Sequence, residues 1–275
     1  MLSRALIPVH FGEPKHKLAK LSGALRTLGI TDIRLLHIGD SPLPETKTTD
    51  AGATDAGASP TKTGRRIASI ARTFHEEGFA TEIHYAHGSP ALTITRMSEE
   101  LECDLIAFSW KAKNWLQRAL VGSTTLDVIR LSDVSVLVVK DTAQEGLLYA
   151  TNFHSVDHSV IAHLNTKPLT DYPRYLVHVG ERAPDPVAER KREDLALANL
   201  QRLADECKGS PVEIRLVQDA NVSRGVLREV RKNSVGTLVL GKSKGAPGIS
   251  SVLGSTAERV TTNAKCSVLI VPPGA

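Results

Sequence analysis

The sequence predicts an α/β protein of two similar domains, each with a parallel sheet covered by helices on both faces. Short apolar, β-branched runs alternate with longer segments of helical periodicity, which is the pattern of parallel strands joined by crossover helices. This pattern restarts after Asp141, and 275 residues are enough for two domains of ordinary size. With 41% hydrophobic and 23% charged residues, the composition is that of a globular protein.

The composition also argues against several classes of protein. No apolar run approaches the roughly 20 residues that span a bilayer, and the first residues form a strand pattern rather than a secretory signal. The three cysteines are scattered without metal-ligand spacing, which indicates buried thiols and a cytoplasmic location. The net charge of +4 suits anionic small ligands, but no basic run indicates a nucleic-acid or membrane partner.

In the first half of the chain, five strands alternate with four helices. The helices are predicted from apolar residues three or four positions apart, such as Leu21, Leu25 and Leu28. Ser89 and Pro90 make an N-cap and first-turn pair. The stretch 46–63 has no large apolar residue and is predicted to be a mobile surface loop. The predicted strands are 6–11, 32–38, 81–86, 104–109 and 134–140, and the predicted helices are 15–28, 67–78, 89–101 and 122–131.

The second half repeats the first. Residues 147–153 resemble 5–11, and 176–181 resemble 35–40. Gly-Ser-Thr occurs at 122–124 and again at 254–256, each time at the start of a predicted helix. The chain is therefore an internal duplication with a period of about one small domain. We expect domains at 1–141 and 146–275, joined by a short polar segment.

The stretch 238–271 holds the strongest candidate site. An apolar strand ends at Gly241, a loop rich in glycine and lysine follows, and Gly254, Ser255 and Thr256 open a helix. Glycines allow the backbone to approach a phosphate closely, and the free N–H groups at a helix start attract an anion. The stretch predicts a nucleotide-phosphate site, with simple turn chemistry as the alternative.

These features resemble the universal stress protein family in its tandem two-domain form. The family's nucleotide-binding members carry Gly, two residues, Gly, nine residues, and then Gly followed by Ser or Thr. The span from Gly241 to Gly254 has the length this requires, but Lys244 stands at the second glycine, with Gly245 beside it. The resemblance implies two Rossmann-like domains, each an open five-stranded sheet in the order 3-2-1-4-5. It also implies ATP or a related adenine nucleotide, accompanied by Mg²⁺, at the carboxyl ends of strands 1 and 4.

The resemblance assigns roles to residues of the second copy. It places Ala150, Thr151 and Asn152 at adenine and ribose, Val179 at the adenine edge, Gly241, Ser243 and Lys244 along ribose and phosphate, and Gly254, Ser255 and Thr256 at the phosphates. Asn152 stands where the family usually has Asp, so it keeps a hydrogen-bonding group without the charge. Lys244 blocks close backbone approach but supplies a cation for a polyphosphate. A solvent-facing loop lysine is the alternative.

The first copy departs further from the family pattern. His10 stands at the Asp position, Ser109 and Ala112 replace the two glycines, and Trp110 and Trp115 crowd the loop. Only Gly122 and Ser123 remain. We therefore expect this half to be a structural partner without a competent nucleotide site, in which the tryptophans cover a domain interface rather than stack on a base.

The resemblance predicts a stress-response or regulatory protein with its nucleotide in the C-terminal domain. The alternative is an interaction scaffold of the same family that binds no nucleotide. No catalytic base is evident, so at most slow ATP hydrolysis is expected. His37 and His178 recur at strand ends, where hydrogen bonds inside the fold are a simpler interpretation than a general base. No Cys or carboxylate joins His154, His158 and His163 in a metal set, and they are expected at the surface.

The resemblance also suggests how the domains associate. The apolar terminal strands Val136–Val139 and Val268–Val271 are expected to pair the two domains edge to edge, because an uncovered strand edge favours association. One chain would then resemble a dimer of the family, and assembly of two chains into a homodimer is left open.

Overall fold

The computed structural model describes residues 2–9, 15–39, 62–109, 122–140, 146–182, 185–244 and 251–274. The chain divides into two compact units, the first formed by Met1–Ser109 with Ser123–Val139 and the second formed by Lys140–Ala275 with Trp110–Gly122. His10, Trp110, Ala112, Trp115 and most of the predicted 46–63 loop lie outside the described residues. Within the described ranges, no helix combines the length and apolar composition needed to cross a bilayer.

The first unit is a parallel five-stranded sheet in the order β3-β2-β1-β4-β5, which confirms the order 3-2-1-4-5. Its strands are β1 (Arg4–Pro8), β2 (Asp32–Gly39), β3 (Ala80–His87), β4 (Leu105–Ser109) and β5 (Ser135–Val139). Its helices are α1 (Lys15–Thr27), α2 (Lys62–Glu76), α3 (Pro90–Glu100) and α4 (Ser123–Leu131). Lys62 and Thr63, predicted to end the loop, instead begin α2, whose apolar face buries Ile67 and Phe74.

The second unit has the same order, β8-β7-β6-β9-β12. Its strands are β6 (Leu147–Ala150), β7 (Arg174–Gly180), β8 (Val212–Gln218), β9 (Thr237–Gly241), β10 (Ser243–Lys244), β11 (Ser251–Val252) and β12 (Ser267–Val271). Its helices are α5 (Asp157–Leu164), α6 (Pro186–Asp205), α7 (Val222–Lys232) and α8 (Ser255–Asn263). From β6 the chain adds β7 and β8 toward one edge of the sheet, and then β9 and β12 toward the other edge. Because the crossover connections are right-handed, these two directions place helices on opposite faces of the sheet.

Three sequence expectations about the second unit need correction. The resemblance of 147–153 to 5–11, which contains the predicted strand 6–11, suggested a strand of similar length, but β6 ends at Ala150 and Phe153 adopts a φ of +56°. The glycine-rich loop contains a short antiparallel ribbon in which Ser243 pairs with Val252 and Lys244 with Ser251. His163, expected at the surface, is 9% exposed, and its Nδ1 lies 2.8 Å from the Ser159 carbonyl oxygen.

Candidate functional site

The carboxyl ends of β6 and β9 meet where the connections of the sheet diverge, which is the usual ligand position in open parallel sheets. The register pairs Ala150 with Leu240, so the next residues, Thr151 and Gly241, lie side by side at the end of the sheet. The Thr151 amide donates to the Val177 carbonyl at 2.9 Å and so extends the pairing toward β7. The fold therefore brings the predicted adenine-side residues 150–152 next to the first residue of the predicted phosphate loop.

The side chain of Thr151 is used within the fold. It is 5% exposed, and its hydroxyl donates to Asp157 Oδ1 at 2.9 Å while accepting from the Phe153 amide at 2.9 Å. The Thr151 carbonyl oxygen lies 3.0 Å from His178 Nδ1. Of the polar groups of Thr151, only the carbonyl oxygen can therefore accept a further hydrogen bond from a ligand. The exposed Asn152 side chain has one hydrogen-bond partner among the described residues, His154 Nε2 at 3.4 Å.

His178 and Phe153 fix the turn that follows β6. Their rings are stacked with centroids 4.5 Å apart and an interplanar angle of 28°. With the hydrogen bond from its Nδ1 to Thr151, His178 confirms the prediction that this recurring histidine bonds within the fold. Phe153 was not predicted from the sequence, because no local pattern signals that this residue, just after a strand, adopts a positive φ.

Asp157 is a buried carboxylate that the sequence analysis also missed. Tyr149 Oη donates to its Oδ1 at 2.5 Å, beside the bond from Thr151, and the residue is 4% exposed. Burial raises the pKa of Asp157 despite these hydrogen bonds. Its Oδ2 has no hydrogen-bond partner among the described residues. A signal existed in the sequence, since a tyrosine in a buried strand needs a partner for its hydroxyl.

Gly241, the first glycine of the motif, is required by packing. A Cβ placed on it would lie 2.3 Å from Val156 Cγ1, closer than any side-chain contact tolerates. Val156 immediately precedes α5 and is 4% exposed. The start of α5 therefore packs directly on the end of β9, and glycine at this position has a structural explanation that needs no ligand.

Lys242 is buried, although it lies between Gly241 and Ser243, two residues predicted to contact ribose and phosphate. Its side chain is 1% exposed, and its amide donates to the Val271 carbonyl at 2.8 Å. Ser243 is half-buried, and Ser243 and Lys244 form one arm of the ribbon. The loop thus leaves β9 in a defined direction, held by the neighbouring end of β12.

Gly254 is different from Gly241. It is the N-cap of α8 with φ −65° and ψ 153°, values open to any residue, and no atom of the described residues lies within 4 Å of a Cβ built there. No side chain of the described residues caps the helix, and Ser255 and Thr256 are exposed. The first turn therefore has free N–H groups and the positive end of the helix dipole, which together attract an anion.

By contrast, side chains cap the starts of α6 and α7, at the same end of the sheet. Asp185 accepts from the Ala188 amide at 2.8 Å at α6, and Asn221 accepts from the Arg224 amide at 3.0 Å at α7. A capping side chain satisfies one of the free N–H groups and typically stabilises a protein by about 1 kcal/mol. Glycine at 254 lacks this stabilisation, and neither its backbone conformation nor packing against the described residues accounts for the glycine.

A cavity of about 390 Å³ opens beside the turn, between the ends of β7 and β8 and the helix α6. Its lining includes Asn152 and Val179, as well as the stacked Phe153 and His178. Gln218 closes its rim by donating to Glu189 Oε1 at 2.5 Å and to Glu193. Of the predicted site residues that the structure describes, Asn152 and Val179 line this cavity, whereas Ala150, Thr151 and the phosphate-side residues do not.

The first unit keeps less of this arrangement. Gly122 precedes α4 as Gly254 precedes α8, and here too no atom of the described residues comes within 4 Å of a Cβ added to the glycine. Ser109 ends β4 at the position of Gly241. His37 is 9% exposed and meets the Tyr85 ring edge-on at 6.2 Å. The helix start is thus the part of the site that both units share.

Comparisons with known proteins agree with the duplicated fold. The model of the universal stress protein family matches residues 1–140 and again 142–272. No curated protein sequence matches the chain. A solved universal stress protein from Archaeoglobus fulgidus DSM 4304 is similar at a TM-score of 0.65 and 18% identity, covering 98% of this chain and 96% of that one.

Two further solved structures are similar. A functionally unknown protein from Pseudomonas aeruginosa PAO1 has a TM-score of 0.70 and 16% identity, with 99% of this chain and 93% of that chain covered. A universal stress protein in complex with cAMP covers 48% of this chain and 100% of its own length, at 18% identity and a TM-score of 0.39. At such identities, the likeness over the full chain concerns the fold alone.

Proposed function

Because the chain belongs to the universal stress protein family, we propose that it is a stress-response regulatory protein whose second unit binds ATP or a related adenine nucleotide. The observation that supports this most is the exposed start of α8 at Gly254, which no side chain of the described residues caps. It lies on the carboxyl side of the sheet, where β9 leads into α8. A phosphate group there would satisfy N–H groups that the fold leaves free.

In this proposal, the two groups of site residues have separate tasks. The backbone of Ala150 and Thr151 and the amide of Asn152 contact the nucleoside, with Val179 at the adenine edge. The phosphates lie along Gly241, Ser243 and Lys244 and end at the amides of Gly254, Ser255 and Thr256. The cavity beside Asn152 has a size typical of small-molecule sites.

Mg²⁺ has a limited role in the proposal. The segment 241–257 contains serines, a threonine and lysines but no carboxylate. Mg²⁺ prefers oxygen ligands and keeps several of its waters, so it would be carried mainly by the phosphates rather than by this chain. Binding of ATP would therefore depend little on Mg²⁺, and the chain supplies positive charge to the phosphates instead.

The test is calorimetric titration of the full chain with ATP, with and without Mg²⁺, for the wild type and for Gly254→Asp. We expect the variant to lose at least tenfold in affinity, because its carboxylate would occupy the phosphate position. Asp is also a favourable N-cap, and the position has room for it, so the variant should be as stable as the wild type.

Gly254→Asn is the matched control, because it adds a side chain of the same shape without the charge. Affinity is expected to fall in the order wild type, Asn variant, Asp variant. Absence of binding heat for the wild type with ATP, ADP, AMP and cAMP would refute the proposal. Equal affinities of the Asp and Asn variants for ATP would contradict the placement of a phosphate at the start of α8.

A nucleotide-free interaction scaffold is the second candidate function. It is favoured by the structural roles of Gly241 and Thr151, which packing against Val156 and bonding to Asp157 explain without a ligand. Mass spectrometry of the purified protein distinguishes the two functions. Stoichiometric adenine nucleotide in the preparation would rule out the scaffold, whereas its absence together with silent titrations would support it.

A further inference from the structure

A groove between α7 and α8 has no task in the proposed nucleotide site. It has a volume of about 320 Å³, and it is lined by the exposed arginines Arg224, Arg231 and Arg259, the half-buried Leu227, and the amides of Asn221 and Asn263. Both helices belong to the second unit. We call this feature the arginine groove.

One end of the arginine groove lies next to Asp219, which binds the lining residue Arg224. The Asp219 side chain is 2% exposed and binds Arg224 Nη2 and Arg228 Nη1, each at 2.7 Å. The hydrogen bonds from Arg224 and from the Asn221 amide hold the pKa of Asp219 at about 2, so the carboxylate is charged at neutral pH. Two guanidinium groups against one carboxylate leave this end with a net positive charge.

The other end carries two arginines without ionic partners. Arg231 and Arg259 are exposed, and neither guanidinium forms an ion pair with another described residue. Glu258, beside Arg259 on α8, is the only acidic residue of that helix. The arginine groove therefore has an excess of positive charge along its whole length, above a partly apolar floor at Leu227.

We propose that the arginine groove binds an extended acidic segment of a partner protein. Arg224 and Arg231 are seven residues apart on α7, which separates them by about 10 Å along the helix axis. A single phosphate group is too small to contact both, whereas an extended chain covers that distance in about three residues. Carboxylates spaced in this way would meet the guanidinium groups with charge-assisted hydrogen bonds.

The residues that line the arginine groove also favour an acidic peptide over single-stranded nucleic acid, another polyanion. Single-stranded nucleic acid is usually held by aromatic side chains on which its bases stack. None of the residues that line the arginine groove in the described part of the chain is aromatic. Leu227 instead offers an apolar contact that suits the methylene groups of glutamate side chains.

The test measures fluorescence anisotropy of two labelled peptides of about twelve residues, long enough to cross the arginine groove in extended form. One has Glu at every third position, and the other has Gln in its place. The Glu peptide should bind the full chain at low salt and weaken as salt rises. In the double variant Arg231→Glu, Arg259→Glu, we expect its affinity to fall at least tenfold.

Two further variants separate a local effect from a change in net charge or folding. Arg190→Glu removes an exposed arginine on α6 and should leave the affinity within twofold of the wild type. Asp219→Asn removes the carboxylate that neutralises Arg224 and Arg228, and it should tighten binding of the Glu peptide. Thermal unfolding of each variant verifies that the chain is folded.

Four results would overturn the inference. These are failure of the wild type to bind the Glu peptide at low salt, equal binding of both peptides, displacement of the peptide by millimolar inorganic phosphate, and tighter binding of a single-stranded oligonucleotide of matched length. The last two would identify a phosphate site and a nucleic-acid surface. None of these outcomes depends on whether the second unit binds a nucleotide.

Discussion

Gly241 and Gly254 are equivalent members of one sequence motif, but they are glycines for different reasons. Gly241 has no room for a side chain, since Val156 Cγ1 lies 2.3 Å from the Cβ position. Gly254 has an ordinary φ of −65° and open space among the described residues. The motif therefore contains one glycine that packing requires, Gly241, and one that packing against the described residues does not explain, Gly254. Only Gly254 supports the proposal of a bound ligand.

Gly241→Ala is predicted to destabilise the protein by roughly 1–3 kcal/mol, because the added methyl group overpacks the contact with Val156. Urea denaturation gives the free energy of unfolding. Gly254→Ala is the matched control, and its exposed, open position predicts a change within about 0.5 kcal/mol.

A double-mutant cycle assigns the cost of Gly241→Ala to this contact. Val156→Ala should partly rescue it, so the double variant should be more stable than the sum of the two single changes predicts. Additive effects would mean that the strain arises elsewhere and would contradict the packing explanation.

Among the elements of the second unit, β6 and α5 are joined by a polar network. Tyr149 at the end of the strand, Thr151 in the turn and Asp157 at the helix start share hydrogen bonds to one carboxylate oxygen. The same turn holds Asn152, which the nucleotide proposal needs exposed. The network therefore connects the stability of α5 with the geometry of the proposed nucleoside contact.

The Asp157→Asn variant tests the electrostatics of this network. Burial raises the pKa of Asp157 in the folded state above its unfolded value of 3.8, so the folded protein binds more protons between the two values. The stability of the wild type should accordingly fall as pH rises from about 4 to the raised pKa. Asn does not titrate, so the variant should lack this loss.

Urea denaturation between pH 4 and pH 7 measures the effect. The wild type should be most stable relative to Asp157→Asn at the acidic end, and the difference should shrink as pH rises. Asp194→Asn, on the exposed side of α6, controls for the loss of one surface charge. A wild-type advantage that grows with pH would mean that the carboxylate is stabilised in its charged form.

Across the complete chain, duplication has kept the fold of the two units more faithfully than their sites. Both sheets follow the same strand order, and both have a Gly-Ser-Thr helix start. Ser109 stands where the second unit has Gly241, and the first unit's His10 stands where the second has Asn152. We therefore propose that nucleotide binding is confined to the second unit.

Titration with ATP should give a stoichiometry of about one nucleotide per chain. Gly122→Asp makes before α4 the same change that Gly254→Asp makes before α8, and both glycines have open surroundings among the described residues. We expect Gly122→Asp to leave the affinity and the stoichiometry unchanged. A stoichiometry near two, or loss of half the sites in this variant, would contradict the assignment.

The fold class, the duplication and, through family resemblance, the strand order could all be predicted from the amino-acid sequence alone. These follow from patterns that are local or repeated, such as apolar runs, stripes at helical spacing and the recurrence of Gly-Ser-Thr. Local signals likewise placed the start of α8, because a glycine before Ser and Thr marks the end of one element and the beginning of another.

Which residues of the motif are occupied by packing, and which remain available, depends on the tertiary structure. Gly241 at the end of β9 contacts Val156, which precedes α5. Other elements of the fold likewise bury Asp157, Lys242 and His163. The arginine groove likewise depends on the side-by-side placement of α7 and α8. Spacing along the chain does not encode such contacts, because they arise from the packing of whole helices and strands against one another.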